Sequence, residues 1–260
     1  MSAAPPVALA ATLHDPLAAD LDSMIIALPG VAALYAGIAI VATAETPERV
    51  LTPLRDAGAT ILQRPSDYRE IGWRRLEAVR TAATFAPAIH LCDFDRLLHW
   101  WHHWHAELLA TLPRIAAHDL LILGRTPRAW ATHPANQIET EGLANRAVSH
   151  FYGADVDICS GSRGLSRRAV AYLAAHGREH SVGTDAEWPL ILRAAPDFRC
   201  EQLLTEGLEF ETGDRYPEEV VRAGGLAGWN EGLDRDAARW TFRVQIADDI
   251  VQAALRTAAR

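Results

Sequence analysis

Asp93 and Asp95 stand one residue apart in the run IHLCDFDRLLHWWHHWH (Ile89 to His105). Two carboxylates at that spacing on the end of a strand can turn to one side and share a hard cation or its water shell. Mg²⁺ and Mn²⁺ favour such oxygen ligands and complete their coordination with substrate phosphates. A plainer role for Asp95 is to cap a helix beginning at Arg96 or Leu97. The same run holds five histidines and three tryptophans, a density that also suggests zinc. His99 and His103 are four residues apart, adequate spacing for two zinc ligands on one helix face. No HExxH-type base accompanies them and the spacing implies no third ligand. Solvated or partly packed histidines are therefore expected, beside a buried stripe of Leu97, Trp100, Trp101, Trp104, Leu108 and Thr111 on one helix.

The aspartates need a rigid edge to stand on, and the first half of the chain supplies the pattern for one. VALAATL (Val7 to Leu13) reads as a strand, followed by a helix from Pro16 to Leu28 and a second strand from Ile38 to Thr43. Thr46-Pro47-Glu48 has the N-cap, the proline at the first helical position and the early acid of a helix start, and that helix ends near Ala57-Gly58. ATILQ is a third strand, DYREIGWRRLEAVRTAATF a third helix, and AIHLC (Ala88 to Cys92) a fourth strand. Strand and helix alternating in this way argue a parallel sheet with helices on its faces. Such sheets bind ligands beyond the carboxyl ends of their strands, where Asp93 and Asp95 fall with Phe94 directed the other way between them.

The run from Asp67 to Trp100 resembles a segment of family-2-type GT-A glycosyltransferases, in which an Arg-rich GxARNxGxxxA helix precedes a strand ending in DxD. Its counterpart is Gly72-Trp73-Arg74-Arg75-Leu76 through Ala82, then Asp93-Phe94-Asp95, with Leu76 where the family has asparagine. The resemblance spans about residues 5 to 210 and is strongest over 68 to 98. CSGSRGLSRRAVAYL (Cys159 to Leu173) is similar to the family's small-residue turn and following helix, on the acceptor side. VGTDAEWPLIL (Val182 to Leu192) resembles the acidic segment that supplies the base in inverting members. The resemblance implies a GT-A-like, Rossmann-like α/β fold with a mostly parallel sheet, spanning residues 1–215. It implies a nucleotide-diphospho-sugar donor, an acceptor hydroxyl, and Mg²⁺ or Mn²⁺ held by Asp93 and Asp95. Asp185, with Glu187 as the alternative, would deprotonate the acceptor in an inverting transfer; both also suit the first turn of a helix. Arg74 or Arg75 would position the phosphates. Thr12, His14 and Asp15 follow the first strand where base and ribose contacts fall, and Glu45 or Thr43 stands in for an acidic turn after the second. The donor base is left open.

Between the halves, the strand DLLILGR carries Arg125 toward the same edge, where it could neutralise a diphosphate; Arg128 and His133 follow in a loop. Glu139 and Glu141 open a helix running to His150. Beyond Tyr216 a glycine-rich connector leads to a long amphipathic helix, so residues 216–260 form a C-terminal helical appendage. Trp240, Val244, Ala247, Val251 and Leu255 mark its apolar side. It is expected to pack back on the domain or to form a homodimer. Asp248-Asp249 weigh against a membrane-surface role.

Composition narrows the function classes. The chain has 260 residues and a net charge of -8, which gives no broad attraction for nucleic acid or anionic lipid. Cys92, Cys159 and Cys200 are too far apart for a disulfide framework or a CxxC pair, and the N-terminus lacks the basic region of a secretory signal. A cytoplasmic protein is expected. Met24 to Ala44 is uncharged and long enough to cross a bilayer, but Pro29-Gly30 and its β-branched second half point to helix, turn and interior strand. A sugar-phosphate nucleotidyltransferase would use similar carboxylates, yet it would carry a lysine in a glycine-rich N-terminal loop, and the chain has no lysine. A degenerate, non-catalytic GT-A-like binding subunit is the remaining alternative, favoured by the altered turn after the second strand.

Overall fold

Every residue of Ile38–Thr43 (β2) is buried, as a strand covered on both faces requires. In the computed structural model, which describes residues 7–260, β2 lies inside a seven-stranded sheet. Its partners are Val7–Leu13 (β1), Thr60–Arg64 (β3), Ala88–Cys92 (β4), Leu120–Arg125 (β5), Ser162–Ser166 (β6) and Cys200–Thr205 (β7), in the order β3-β2-β1-β4-β6-β5-β7. All neighbouring pairs are parallel except those of β6, which runs antiparallel to both β4 and β5. The six remaining strands thus end on one edge, and β6 begins there.

The pleat divides the core in two. Along β1, Ala8 and Ala10 face one layer, while Val7, Leu9, Ala11 and Leu13 face the other. The second layer holds Leu21–Leu34 (α1), Glu48–Asp56 (α2), Phe94–His103 (α4) and His105–Ala116 (α5). The first holds Ile71–Ala82 (α3), Ala135–Tyr152 (α7), Arg167–His176 (α8), Thr184–Ala194 (α9) and Ala237–Ala258 (α12). The short helix Pro127–Ala131 (α6), two 3₁₀ turns at Tyr68–Glu70 and Thr212–Arg215, and Pro217–Arg222 (α10) with Leu226–Asp234 (α11) complete the described chain.

Several boundaries differ from those the sequence suggests, each for a local reason. The first helix begins at Leu21 and continues through Pro29-Gly30 to Leu34. Gly30 is required there because a Cβ would lie 2.1 Å from the Trp101 indole, so α1 and α4 touch through it. Thr46 does not cap α2: its hydroxyl accepts from the Asp15 amide at 3.3 Å and bonds to the Thr43 hydroxyl, joining two turns. The helix expected to start at Asp67 opens as a 3₁₀ turn, with the Asp67 carboxylate accepting the Arg69 amide. The histidine-rich helix breaks at Trp104 (φ -133°, ψ 37°), which bonds through Nε1 to Glu209 and ends α4 before α5. Phe94 is the first residue of α4 and fully buried, so Asp93 takes the N-cap position and Asp95 the first turn.

The C-terminal helix α12 packs back across α7 and α9. Its buried face is Ala247, Ile250, Ala253 and Ala254, one step round from the expected stripe; Val244 and Leu255 are exposed. Alanines allow the close approach, with Ala253 against Gly183 at the head of α9. Among the described residues no helix is long and apolar enough to cross a membrane.

Candidate functional site

Asp93 sits where β4 passes into α4. Its Oδ1 accepts the Thr12 hydroxyl at 2.7 Å, from the end of β1, and its carboxylate takes Arg75 Nη2 at 3.2 Å, from α3. Arg75 is buried and reaches back through Nη1 to Asp185 Oδ1 at 2.9 Å, the same oxygen that accepts Arg163 of β6. Thr12, Asp93, Arg75, Asp185 and Arg163 therefore form one bonded chain across four elements and the start of α9. Burial alone would raise the Asp93 carboxyl, but Arg75 and Arg96, with the Thr12 hydroxyl, hold it below the usual carboxylate range. Gly161, just before β6, closes the far side. Its φ of 70° lies in the left-handed region, its carbonyl accepts the Asp93 amide, and a Cβ there would stand 2.7 Å from Asp93 Oδ2.

Beside this chain opens a cleft of about 320 Å³ whose walls include Thr12, His14, Asp93, Asp95, Glu211 and Arg243. Asp95 keeps one oxygen on the Arg96 amide and the other 3.6 Å from Arg215, which is itself clamped on Asp20. Glu211 is buried, and its Oε2 has no hydrogen-bond partner; Arg96 Nη1, also without one, lies 3.4 Å away. Burial pushes the Glu211 carboxyl up and the neighbouring Asp95 adds to this, while Arg96 opposes it. The Arg96 charge offsets part of the cost of burying a carboxylate oxygen that accepts no hydrogen bond. Two oxygen-bearing acids in one polar cleft suit a hard divalent cation. Asp93 is poorer in this respect, because Thr12 and Arg75 already occupy it.

The remaining candidates separate. His14 is exposed at the lip, with Nδ1 2.8 Å from the Thr43 hydroxyl. Asp15 is buried and accepts the amides of Ala19 and Asp20, which fixes the entry to α1. Glu45 is exposed. Arg74 turns from Arg75 and donates to the carbonyls of Pro65 and Asp67, closing the loop before α3. Arg125 is enclosed by Glu141 and Asp157, both at 2.7 Å, and covers Trp130; it borders a separate cavity of about 730 Å³. Glu187 is wholly buried and accepts the amides of Arg178 and Glu179 and the Arg260 guanidinium. Arg128 is half exposed and pairs with Glu206 and Glu209, whereas burial and the nearby Arg125 push the His133 imidazole down.

Arg96, Arg163, Glu211, Arg215 and Arg243 emerge only in three dimensions. Arg163 lies inside the quoted CSGSRGLSRR segment, and Arg96 directly follows DFD. The others reach the cleft from irregular chain or from α12, and no local pattern announces them.

Sheet order, the single reversed strand and the acidic cleft at the carboxyl edge define a GT-A-like fold. Among solved structures, the chain is similar to glucosyl-3-phosphoglycerate synthase from Mycobacterium tuberculosis. One structure of that enzyme superposes with a TM-score of 0.52 at 14% identity, over 98% of this chain and 81% of the other. Another, in complex with Mn²⁺, UDP-glucose and phosphoglyceric acid, gives 0.50 at 13% identity, over 98% and 80%. A structure described as a mycobacterial protein matches 77% of this chain at 13% identity with a TM-score of 0.49, and the chain spans 65% of its length. The sequence matches no protein-family model and no curated protein.

Proposed function

We propose that the protein is a metal-dependent glycosyltransferase that moves a sugar from a nucleotide-diphosphate donor to an acceptor hydroxyl. The observation that carries this reading is the acidic cleft at the ends of β1 and β4, where Asp95 shares the walls with the buried Glu211 carboxylate, whose Oε2 has no hydrogen bond and only the Arg96 charge 3.4 Å away. Asp95 and Glu211 would hold Mn²⁺ or Mg²⁺, which would neutralise charge on the diphosphate leaving group. The similar enzyme's complex with Mn²⁺ and UDP-glucose supports the choice of ion and donor class.

Asp93, with Thr12, faces the donor rather than serving as the chief ligand. Arg75 fixes its carboxylate, and Asp185 and Arg163 in turn fix Arg75. Exposed His14 offers a flat polar ring at the lip for the nucleoside. Arg243 and Arg96 contribute positive charge to the walls, where a diphosphate needs it. An inverting transfer requires a free carboxylate to take the acceptor proton. Asp185 Oδ1 is held by two guanidiniums and Glu187 is sealed in the core, so neither environment supports that role; Asp185 is a positioning residue in this reading.

A non-catalytic binding subunit is the second reading, favoured by Arg215, whose guanidinium stands 3.6 Å from Asp95 and could replace a cation there. Calorimetric titration with UDP, with and without Mn²⁺, separates the two. The glycosyltransferase reading expects Mn²⁺ to strengthen UDP binding, and Asp95→Asn and Glu211→Gln each to remove that gain. Slow Mn²⁺-dependent hydrolysis of one nucleotide sugar from a panel should accompany it. Equal UDP affinity with and without metal, in wild type and both variants, would overturn the reading.

A further inference from the structure

The histidines of α4 are not used by the proposed reaction, yet one pair of them is part of a cluster. Asp95, His99 and His103 follow one another at four-residue intervals and so share a face of α4. The 3₁₀ turn Thr212–Arg215 lies along that face: Arg215 meets Asp95, and one turn further on Asp214 meets the histidines. His99 Nδ1 is 2.7 Å from Asp214 Oδ2, and His103 Nε2 is 3.9 Å from the same oxygen. The three ligand atoms all lie within 4.8 Å of one another, and the imidazole centroids are 4.5 Å apart. Among the described residues this is the one group of three or more such side chains gathered so closely.

We propose that His99, His103 and Asp214 form a binding site for a borderline transition-metal ion such as Zn²⁺, separate from the donor cleft. Two imidazoles and one carboxylate are a recurrent three-ligand set for zinc, leaving a fourth position for water. Ligand atoms about 2.0–2.1 Å from a tetrahedral zinc lie about 3.3 Å apart. The His99–Asp214 contact must therefore open and the His103–Asp214 contact close by about 0.6 Å each, and the two imidazole nitrogens close by up to about 1.5 Å, within reach of the exposed His103 and Asp214 side chains.

A second, independent feature marks the site. A metal-bound histidine normally gives its other N–H to a carboxylate, which fixes the tautomer and aims the lone pair. His99 Nε2 lies 3.1 Å from Glu209 Oε1, and Glu209 is itself fixed by the Trp104 indole N–H at 2.8 Å and by Arg128 at 2.6 Å. With the Nε2 proton directed to Glu209, His99 presents Nδ1 to Asp214. Metal uptake would replace the direct Nδ1–Asp214 contact by bonds from both groups to the ion. The ion would clamp the 212–215 turn, and with it the Glu211 and Arg215 side of the cleft, onto α4.

The test is titration of the untagged full chain with Zn²⁺ alone, followed by Co²⁺ absorption spectroscopy. About one equivalent should bind, with the intense visible bands of tetrahedral Co²⁺. His103→Ala and Asp214→Asn, both at half-exposed positions, should lose at least tenfold in affinity while keeping the wild-type circular dichroism. Glu209→Gln should lose about 10–100-fold. Amide exchange over residues 209–216 should slow when Zn²⁺ is added. Asp95→Asn should bind Zn²⁺ as wild type does, so this proposal and the donor-metal reading can fail separately. Absence of Zn²⁺ uptake, uptake unchanged in both His103→Ala and Asp214→Asn, or uptake removed by Asp95→Asn would each overturn it.

Discussion

Replacing Arg75 with methionine keeps the length and apolar stem of the side chain and removes the charge that bridges Asp93 and Asp185. The guanidinium is buried, with a side chain 6% exposed, and its two partners lie at 3.2 and 2.9 Å. Deleting one member of a buried ion pair costs about 3–5 kcal/mol, because the other charge stays behind without compensation. Here each carboxylate keeps a second partner, Thr12 for Asp93 and Arg163 for Asp185, so the expected loss is at the low end, about 3 kcal/mol. In a chain of this size that corresponds to a fall of about 6–12 °C in melting temperature. Urea unfolding at pH 7 should show a lower midpoint with an unchanged slope.

The pH dependence gives an independent check. The Asp93 carboxyl is depressed in the folded protein, so its contribution is present above the unfolded aspartate value, about 3.9, and is lost as pH falls through the lower folded value. With Arg75 gone, burial pushes Asp93 upward and the acid limb of the stability curve should move to higher pH. Arg75→Lys should be intermediate, since an ammonium cannot span both carboxylates as the guanidinium fork does. A loss under about 1 kcal/mol in Arg75→Met, as an exposed pair would give, would refute the claim that this bridge organises the site.

Gly161→Ala should cost about 1–2 kcal/mol for the left-handed backbone alone, and should also weaken UDP binding by displacing Asp93; denaturation and nucleotide titration read the two effects. Arg125→Leu leaves Glu141 with only Arg243 and Asp157 with only Asn145 and the residue-125 amide, and should cost about 3 kcal/mol, yet below its melting transition the variant should bind UDP and Mn²⁺ as wild type does; a selective loss of nucleotide affinity would return Arg125 to the donor site. Burial pushes the Cys200 thiol up to about 11 and those of Cys92 and Cys159 up as well, so native protein at pH 7 should react slowly with thiol reagents. Rapid modification of all three cysteines without denaturant would contradict that.

The parallel half of the sheet was legible because β1, β2 and β4 are apolar runs bounded by turn residues, and the observed strands match those runs to the residue. β6 was not, since SRGLS has neither an apolar run nor clear alternation; its burial comes from its neighbours on either side. The break at Trp104 has no glycine or proline to announce it. The apolar face of α12 was misplaced because large side chains draw attention, whereas the helix docks through alanines. In the site, the DFD segment could be located from its position after a strand. Its partners Glu211 and Arg215 lie more than a hundred residues further on, in irregular chain, and only the folded backbone brings them back. Asp214 is the same case: helical spacing revealed His99 and His103, but a third ligand arriving from another element leaves no trace in local sequence.

The reversed direction of β6 affects how this scaffold can change. A parallel strand brings the chain to the carboxyl edge and then leaves, so its contribution comes from the residues after it. β6 instead starts at that edge, with Ser162 opposite Cys92, and the residues before it, through Gly161, close on Asp93. The loop from 153 to 161 can therefore gain or lose residues without shifting the register of any strand that carries Thr12 or Asp93. The residues before Gly161, which line the separate cavity beside Arg125 through Asp155, Val156 and Asp157, can thus vary while the strands that carry Thr12 and Asp93 stay in place.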